Sequence, residues 1–335
     1  MKRILITGGF GFIGGHLLEL LLSCPGNEVH VIDDLSGRPL FYGPQAMELS
    51  RDGRFTYSVQ DLAQPLNGQS RPGFAEIYHL ASVVGPAGVL PHSGEIANSI
   101  LNHALITARL AAASGGRLIY VSSSEVYGGG VDGFCSETMP CLIPSRVSAR
   151  AEYAAGKLAA ELALLNLARA QGLDIRVTRP FNVAGPRQSG AGGFVLPRFV
   201  GMAIASMPIT VFGTGLQRRA FTDVRDIARG MVAAAEFGRP GSVYNLGNPD
   251  NVCTILDLAN EVRETTGSQS EIHFVDGRDI YGPLYEEAGE KLPDAVRARE
   301  ELGWAPQISR SHTIRDTVAY MRGLPEEMLH RARGF

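Results

Sequence analysis

Tyr153 and Lys157 stand four residues apart in Arg150-Ala151-Glu152-Tyr153-Ala154-Ala155-Gly156-Lys157-Leu158-Ala159-Ala160-Glu161, a run of strong helix formers. On a helix that spacing puts both side chains on one face, about one turn apart. A lysine ammonium beside a phenol favours the phenolate and lowers its pKa. That would make a general base for an alcohol proton near neutral pH. The same spacing also describes a surface pair on an amphipathic helix, because Tyr-x-x-x-Lys is common by chance. A second polar group, Ser122-Ser123-Ser124-Glu125-Val126-Tyr127-Gly128, follows directly on the apolar run Arg117-Leu118-Ile119-Tyr120-Val121. Hydroxyls and a carboxylate at the carboxyl end of a strand stand where open α/β sheets bind ligands. A polar loop whose serines satisfy their own backbone reads the same way.

The third group is at the N-terminus. Arg3-Ile4-Leu5-Ile6-Thr7 is broken by Gly8-Gly9-Phe10-Gly11-Phe12-Ile13-Gly14-Gly15, followed by His16-Leu17-Leu18-Glu19-Leu20-Leu21-Leu22 and then Glu28-Val29-His30-Val31-Ile32 ending at Asp33-Asp34. Strand, glycine turn, helix, strand and acid is the order a dinucleotide site requires. Glycines at 8, 11 and 14 let the backbone approach a pyrophosphate at a helix N-terminus, with Phe12 and Ile13 supplying amides. The glycines fit two registers, Gly9-x-Gly11-x-x-Gly14 and Gly8-x-x-Gly11-x-x-Gly14, and the nineteen-residue step from Gly14 to Asp33 fits both. A tight turn inside a parallel sheet, with Asp33 capping a loop, is the plainer alternative. Asp33 can hold the adenosine ribose hydroxyls, and two adjacent carboxylates repel a 2′-phosphate, so the cofactor read here is NAD rather than NADP. Arg38, close by, is the one residue that would suit the phosphate.

The elements that must position these groups alternate. After a polar, turn-rich segment from Leu35 to Arg54 come Phe55-Thr56-Tyr57-Ser58-Val59 with Gln60-Asp61-Leu62, then Glu76-Ile77-Tyr78-His79-Leu80-Ala81, a helix from about Gly94 to Ser114, and the serine strand. His79 is read as pointing into the fold rather than as a base. Strands alternating with helices predict an α/β protein, a doubly wound parallel sheet of Rossmann type. Short apolar pieces at 194–198 and 208–212, punctuated by Gly and Pro, predict a smaller C-terminal substrate-binding lobe over the strand ends. A helix from Ile227 to Phe237, a strand Val243-Tyr244-Asn245-Leu246 and a helix from Leu256 to Thr266 follow. Arg187, Arg218 and Arg219 supply cations suited to a diphosphate. The chain has 335 residues, 44% hydrophobic and 19% charged, with a formal charge of -3 and a pI near 6.3. These give no reason to expect nucleic acid or an anionic membrane as partner. No apolar run approaches a membrane span, and Cys24, Cys135, Cys141 and Cys253 have no paired metal spacing. They read as reduced thiols in a cytoplasmic protein with no metal site.

Taken together, the glycine turn, Ser123 and Tyr153-x-x-x-Lys157 resemble the extended short-chain dehydrogenase/reductase family of nucleotide-sugar epimerases, dehydratases and decarboxylases. The resemblance covers nearly the whole chain. It includes Asp61-Leu62 and His79-Leu80-Ala81 around NAD, Arg179-Pro180-Phe181-Asn182-Val183-Ala184-Gly185-Pro186-Arg187 leading into the sugar-nucleotide lobe, Gly213-Thr214-Gly215-Leu216-Gln217-Arg218-Arg219-Ala220-Phe221-Thr222-Asp223-Val224-Arg225-Asp226, and Glu301-Leu302-Gly303-Trp304-Ala305-Pro306. It implies an NAD-binding domain at 1–178, to which 222–247 returns, and a lobe at 179–335 for a nucleotide sugar, with UDP the favoured nucleotide. It also implies a homodimer through a four-helix contact.

By that resemblance Tyr153 is the base at a sugar C4 hydroxyl, Ser123 bonds the same oxygen, and Lys157 holds the cofactor ribose. Leu80 and Ala81 join the cofactor site. Ser124, Asn182, Arg187, Arg219 and Tyr281 fall to the substrate, Arg219 at the diphosphate. Glu125 suits members that eliminate or decarboxylate. Together with Tyr-x-x-Gly-Lys and Tyr281-Gly282-Pro283-Leu284-Tyr285 it resembles the UDP-glucuronate decarboxylases. An arginine of that group falls on Lys291, which keeps the charge without the fork. The expected activity is therefore a UDP-hexuronate decarboxylase, with a nucleotide-sugar 4-epimerase second and a dehydratase third. A non-catalytic NAD-binding sensor is the reading from another class.

Overall fold

In a computed structural model of the chain, described at residues 1–37, 48–49, 51, 53–64, 73–128, 133–326 and 328–329, a seven-stranded parallel sheet forms the centre. Arg38 lies outside the described residues. The strands are β1 (Lys2–Thr7), β2 (Asn27–Asp33), β3 (Phe55–Val59), β4 (Glu76–His79), β5 (Arg117–Val121), β6 (Ile175–Pro180) and β7 (Val243–Leu246). Their spatial order is β7-β6-β5-β4-β1-β2-β3, every neighbouring pair parallel. The order reverses between β1 and β4. That switch point opens a crevice at the carboxyl ends.

Alternation along each strand assigns its two faces. Ile4 and Ile6 of β1 point into one core with Leu17, Leu18 and Leu21, and Leu5 points into the other. The first core takes helices α1 (Phe12–Leu22), α5 (Val224–Phe237) and α8 (Val296–Leu302); the second takes α2 (Ile96–Ser114) and α3 (Ala149–Gln171). Helices on both faces make the sheet doubly wound, as the alternation predicted. α3 starts where the Ser148 hydroxyl accepts the Ala151 amide at 3.1 Å, and it stops at Gly172, whose φ of +69° suits a residue without a side chain.

A third core lies over the strand ends. It joins α4 (Val195–Ile204), α6 (Ile255–Thr266) and α9 (Arg310–Arg322) with Ile209–Phe212, a strand parallel to Ile272–Val275. The short α7 (Gly277–Tyr281) follows. Residues 195–204 are a helix, not the broken apolar piece read from sequence at 194–198; Pro197 sits in its first turn, where no amide partner is lost. The strand Arg218–Ala220 pairs antiparallel with Val252–Thr254, and Leu292–Pro293 pairs parallel with Phe134–Cys135. The last pairing brings Lys291 back beneath the sheet's carboxyl edge. The four cysteines are free, and the described residues contain no cluster of three or more metal-ligating side chains. No described helix is long and apolar enough to cross a membrane.

Candidate active site

A cavity of about 990 Å³ runs along the carboxyl edge of the sheet, from the glycine turn to the third core. At one end Gly8 has φ +71°, and a side chain there would meet the Ala81 amide nitrogen at 2.7 Å. A Cβ on Gly14 would stand 2.2 Å from the Gly8 carbonyl oxygen. The turn is therefore packed backbone to backbone. Gly11 caps α1, whose first amides have no partners within the helix. Phe12, Ile13, Leu62, Leu80 and Ala81 complete this wall. A cradle that any side chain would fill, at the positive end of a helix, fits a dinucleotide pyrophosphate.

Asp33 ends β2 and faces the same cavity. Its carboxylate accepts the Phe10 amide at 3.0 Å and the Leu35 amide at 2.9 Å. Burial raises its pKa, and the amides oppose that. Asp61 accepts the Ala63 amide at 2.8 Å and lies 3.4 Å from His103. His79 is buried and shares a 2.7 Å hydrogen bond between Nδ1 and the Thr7 hydroxyl. Burial drives its pKa well down, so it holds β4 to β1. The inward reading of His79 agrees with this.

At the centre, β5 ends at Val121 and the chain turns into a short 3-10 helix, Ser124–Tyr127, capped by the Ser123 hydroxyl, which accepts the Glu125 amide at 3.2 Å. Tyr153 arrives from α3, with Ser123 as a hydrogen-bond partner that favours its phenolate. Lys157 donates from Nζ to the Val121 carbonyl at 2.9 Å and lies 5.7 Å from the centre of the Tyr153 ring. The three groups meet on one wall.

The electrostatics differ from the sequence expectation. Burial, then the charge of Glu125, push the Tyr153 phenol well above its ordinary value; Ser123 and Arg150 only partly offset this. Lys157 is buried too, and burial brings it down to about 7 against the pull of Glu161. Desolvation outweighs the pairing of lysine and phenol.

Glu125 is paired with an arginine, the plainer reading of a loop carboxylate, and also with Lys291, which spacing did not link to it. Burial alone would raise its pKa, yet Arg150 and Lys291 bring it down to about 2. Arg150 grips it bidentately, Nε to Oε2 at 2.7 Å and Nη2 to Oε1 at 2.6 Å, and Lys291 Nζ stands 2.6 Å from Oε2. Lys291 is 1% exposed, and burial lowers its pKa to about 8. The arginine opens the Tyr153 helix, so only its helical position was visible beforehand.

The substrate candidates divide. Ser124, Asn182, Arg187 and Arg219 line the cavity. Arg219 is buried and donates to the Ala288 carbonyl at 2.6 Å and to Glu287 at 3.3 Å. Arg187 is tied to Glu19 of α1 at 2.8 Å, and Arg218 is turned outward onto Glu290. Tyr281 stands behind the wall, its ring 5.2 Å from that of Tyr285, which does line the cavity with Glu286 and Glu287. Arg179, first residue of the Arg-x-x-Asn segment, is a buried strut from β6 to α3: Nε donates to Glu161 at 3.0 Å and Nη1 to the Tyr127 hydroxyl at 2.8 Å.

A glycine cradle at a switch point, joined to a serine, tyrosine and lysine wall, defines an NAD-dependent enzyme of short-chain dehydrogenase/reductase architecture. The chain belongs to the NAD dependent epimerase/dehydratase family, whose profile matches residues 4–247. It is 32% identical over 308 residues to UDP-glucuronic acid decarboxylase 1 of Arabidopsis thaliana, covering 92% of this chain and 67% of that one. It is 28% identical to UDP-N-acetyl-alpha-D-glucosaminuronate decarboxylase of Bacillus cytotoxicus, covering 97% and 99%. Its fold is similar to that of UDP-glucuronic acid 4-epimerase from Bacillus cereus in complex with UDP-glucuronic acid and NAD, with a TM-score of 0.83, 26% identity, and 97% and 100% of the two chains covered.

Proposed function

We propose that this enzyme decarboxylates a UDP-linked hexuronate, UDP-glucuronate first among them, through transient oxidation at C4. Tyr153 takes the C4 hydroxyl proton, and Ser123 bonds the same oxygen and orients it toward the phenol. Residues 1–178 with 222–247 would hold NAD, which would supply a hydride acceptor and donor at C4 and so would not be consumed. The resulting 4-keto group weakens the bond from C5 to the carboxylate. Carbon dioxide leaves, C5 is reprotonated, and return of hydride and proton at C4 gives a UDP-pentose. Lys157, held on the Val121 carbonyl, stands beside the phenol to bind the cofactor ribose. Residues 179–335 hold the nucleotide sugar, with Ser124 and Asn182 on the sugar and Arg219 on the diphosphate.

The observation that carries this reading is Glu125, kept ionised by Arg150 and Lys291 on the same wall as Tyr153. A carboxylate at this position is what the members that eliminate or decarboxylate carry, and the two cations keep it ionised and fixed beside the phenol. The relatives named as decarboxylases support the same reading. A 4-epimerase of UDP-glucuronate is second, favoured by lysine rather than arginine at 291 and by the likeness to the Bacillus cereus epimerase. Incubation of the NAD-loaded protein with UDP-glucuronate, read by product mass and sugar stereochemistry, tests both. Loss of 44 mass units as carbon dioxide is expected; an isobaric C4 isomer would overturn the decarboxylase in favour of the epimerase.

A homodimer through α2 and α3, where Leu162 stands 55% exposed, completes the proposal, together with a cytoplasmic setting in which the free thiols stay reduced.

A further inference from the structure

Arg150, Arg187, Arg198 and Arg219 all line the cavity. Three of them meet a carboxylate: Arg150 on Glu125, Arg187 on Glu19 and Arg219 on Glu287. Arg198 is built differently. It is 5% exposed, and among the described residues the one hydrogen bond of its side chain runs from Nη2 to the Thr210 hydroxyl at 2.7 Å. Its guanidinium carbon lies 4.2 Å from the centre of the Phe212 ring. Burial lowers its pKa, and Tyr281, Tyr285 and Glu287 act on it only through space.

A buried guanidinium without a contacting counter-charge is expensive, and it carries five N–H donors that a hydroxyl and an aromatic face cannot use up. Proteins keep such a group where an incoming anion supplies the missing charge. Location identifies that anion. Glu287 touches Arg219 and acts through space on Arg198, so both guanidiniums face one region. Thr210, Phe212 and Gln217 line the same wall. Arg150 and Lys291, the cations near Tyr153, are already spent on Glu125.

We infer that Arg198 is a substrate-binding residue that, together with Arg219, grips the diphosphate of the nucleoside-diphosphate sugar. Its charge is reserved for that anion, and two forks match the two phosphates. The inference rests on the nucleotide-sugar reading of the site but not on which reaction follows at the sugar.

The test uses the full-length NAD-loaded protein, with calorimetric titration of UDP, dTDP, GDP, uridine and UDP-glucuronate into wild type, Arg198→Met and Arg198→Lys. The Met variant is expected to lose about 10- to 100-fold in affinity for the preferred diphosphate, with the Lys variant between. Bound NAD stays the same, and the thermal midpoint of the nucleotide-free protein is unchanged or higher, because a buried unpaired charge has gone. A merely structural arginine gives the opposite signature: a lowered midpoint in both variants, with no graded recovery of binding in Arg198→Lys. That result overturns the inference. So does undiminished diphosphate affinity in Arg198→Met, including the case where only UDP-glucuronate binding weakens, which would assign the fork to the sugar carboxylate. A wild type that binds diphosphates yet turns over no UDP-hexuronate sinks the proposed activity and leaves this inference standing. A wild type that binds no diphosphate better than uridine sinks both.

Discussion

Glu125 and Arg150 act on the Tyr153 phenol with opposite signs: the carboxylate raises its pKa and the guanidinium lowers it. Replacing each by a neutral neighbour must therefore move the phenol in opposite directions. Glu125 sits at about 2 against an ordinary 4.5, so its anion is stabilised by about 3 kcal/mol, shared between two cations. The two side chains are 21% and 23% exposed, too little for water to screen most of that. A unit charge ~8 Å from a phenolate is worth about 2 kcal/mol at an effective dielectric of ~20, and partial cancellation between neighbours leaves about one pH unit.

The catalytic base must be ionised, so the acidic limb of kcat/KM follows the phenol. Arg150→Met should shift that limb to higher pH by about one unit, and Glu125→Gln should shift it to lower pH by a similar amount. The measurement is kcat/KM for the substrate, taken over roughly pH 6–10. Either variant will also lower the plateau, because the trio holds the sugar end together. The position of the limb, not the height of the plateau, is the readout. A limb that moves the same way in both variants, or stays put while activity falls, would refute the proposed coupling.

Three further outcomes follow from the geometry. Tyr153→Phe should cut turnover about 10²- to 10⁴-fold while the purified protein keeps its NAD, measured by absorbance after denaturation; undiminished turnover would remove the phenol from the chemistry. Gly14→Ala puts a methyl group 2.2 Å from the Gly8 carbonyl, with backbone rather than flexible side chains around it. It should cost about 1–3 kcal/mol in thermal unfolding and abolish NAD retention; a variant that keeps both would show that the turn can relax. In acid, the depressed pKa of Glu125 gives a stabilisation that is full above pH 4.5 and fades as pH falls toward 2. Between those values wild type should lose stability more steeply than Glu125→Gln, and parallel curves from chemical denaturation would contradict the ion trio.

What could be read from the sequence was set by how far apart the cooperating residues lie along the chain. Short apolar runs exposed the strands, and the glycine turn and the Tyr153–Lys157 step announced themselves because all their parts are contiguous. The helix at 195–204 was hidden by Pro197, which punctuates a sequence but costs nothing in a first helical turn. The charge trio was hidden for a different reason. Arg150 lies 25 residues from Glu125, and Lys291 reaches it only because Leu292–Pro293 pairs with Phe134–Cys135. Spacing rules cannot register a contact made by a returning strand.

The expectation for Tyr153, which counted the lysine and a positively charged nicotinamide ring but not burial, was incomplete for a related reason. Adjacency on a helix predicts that lysine helps the phenol to ionise, but it says nothing of how deeply both are buried. Burial pushes the phenol up and the lysine down to about 7, each toward its neutral form. Tyr153 then becomes a base only when more positive charge enters the cavity than the protein itself provides. In the proposed reaction that ties proton abstraction to a loaded site.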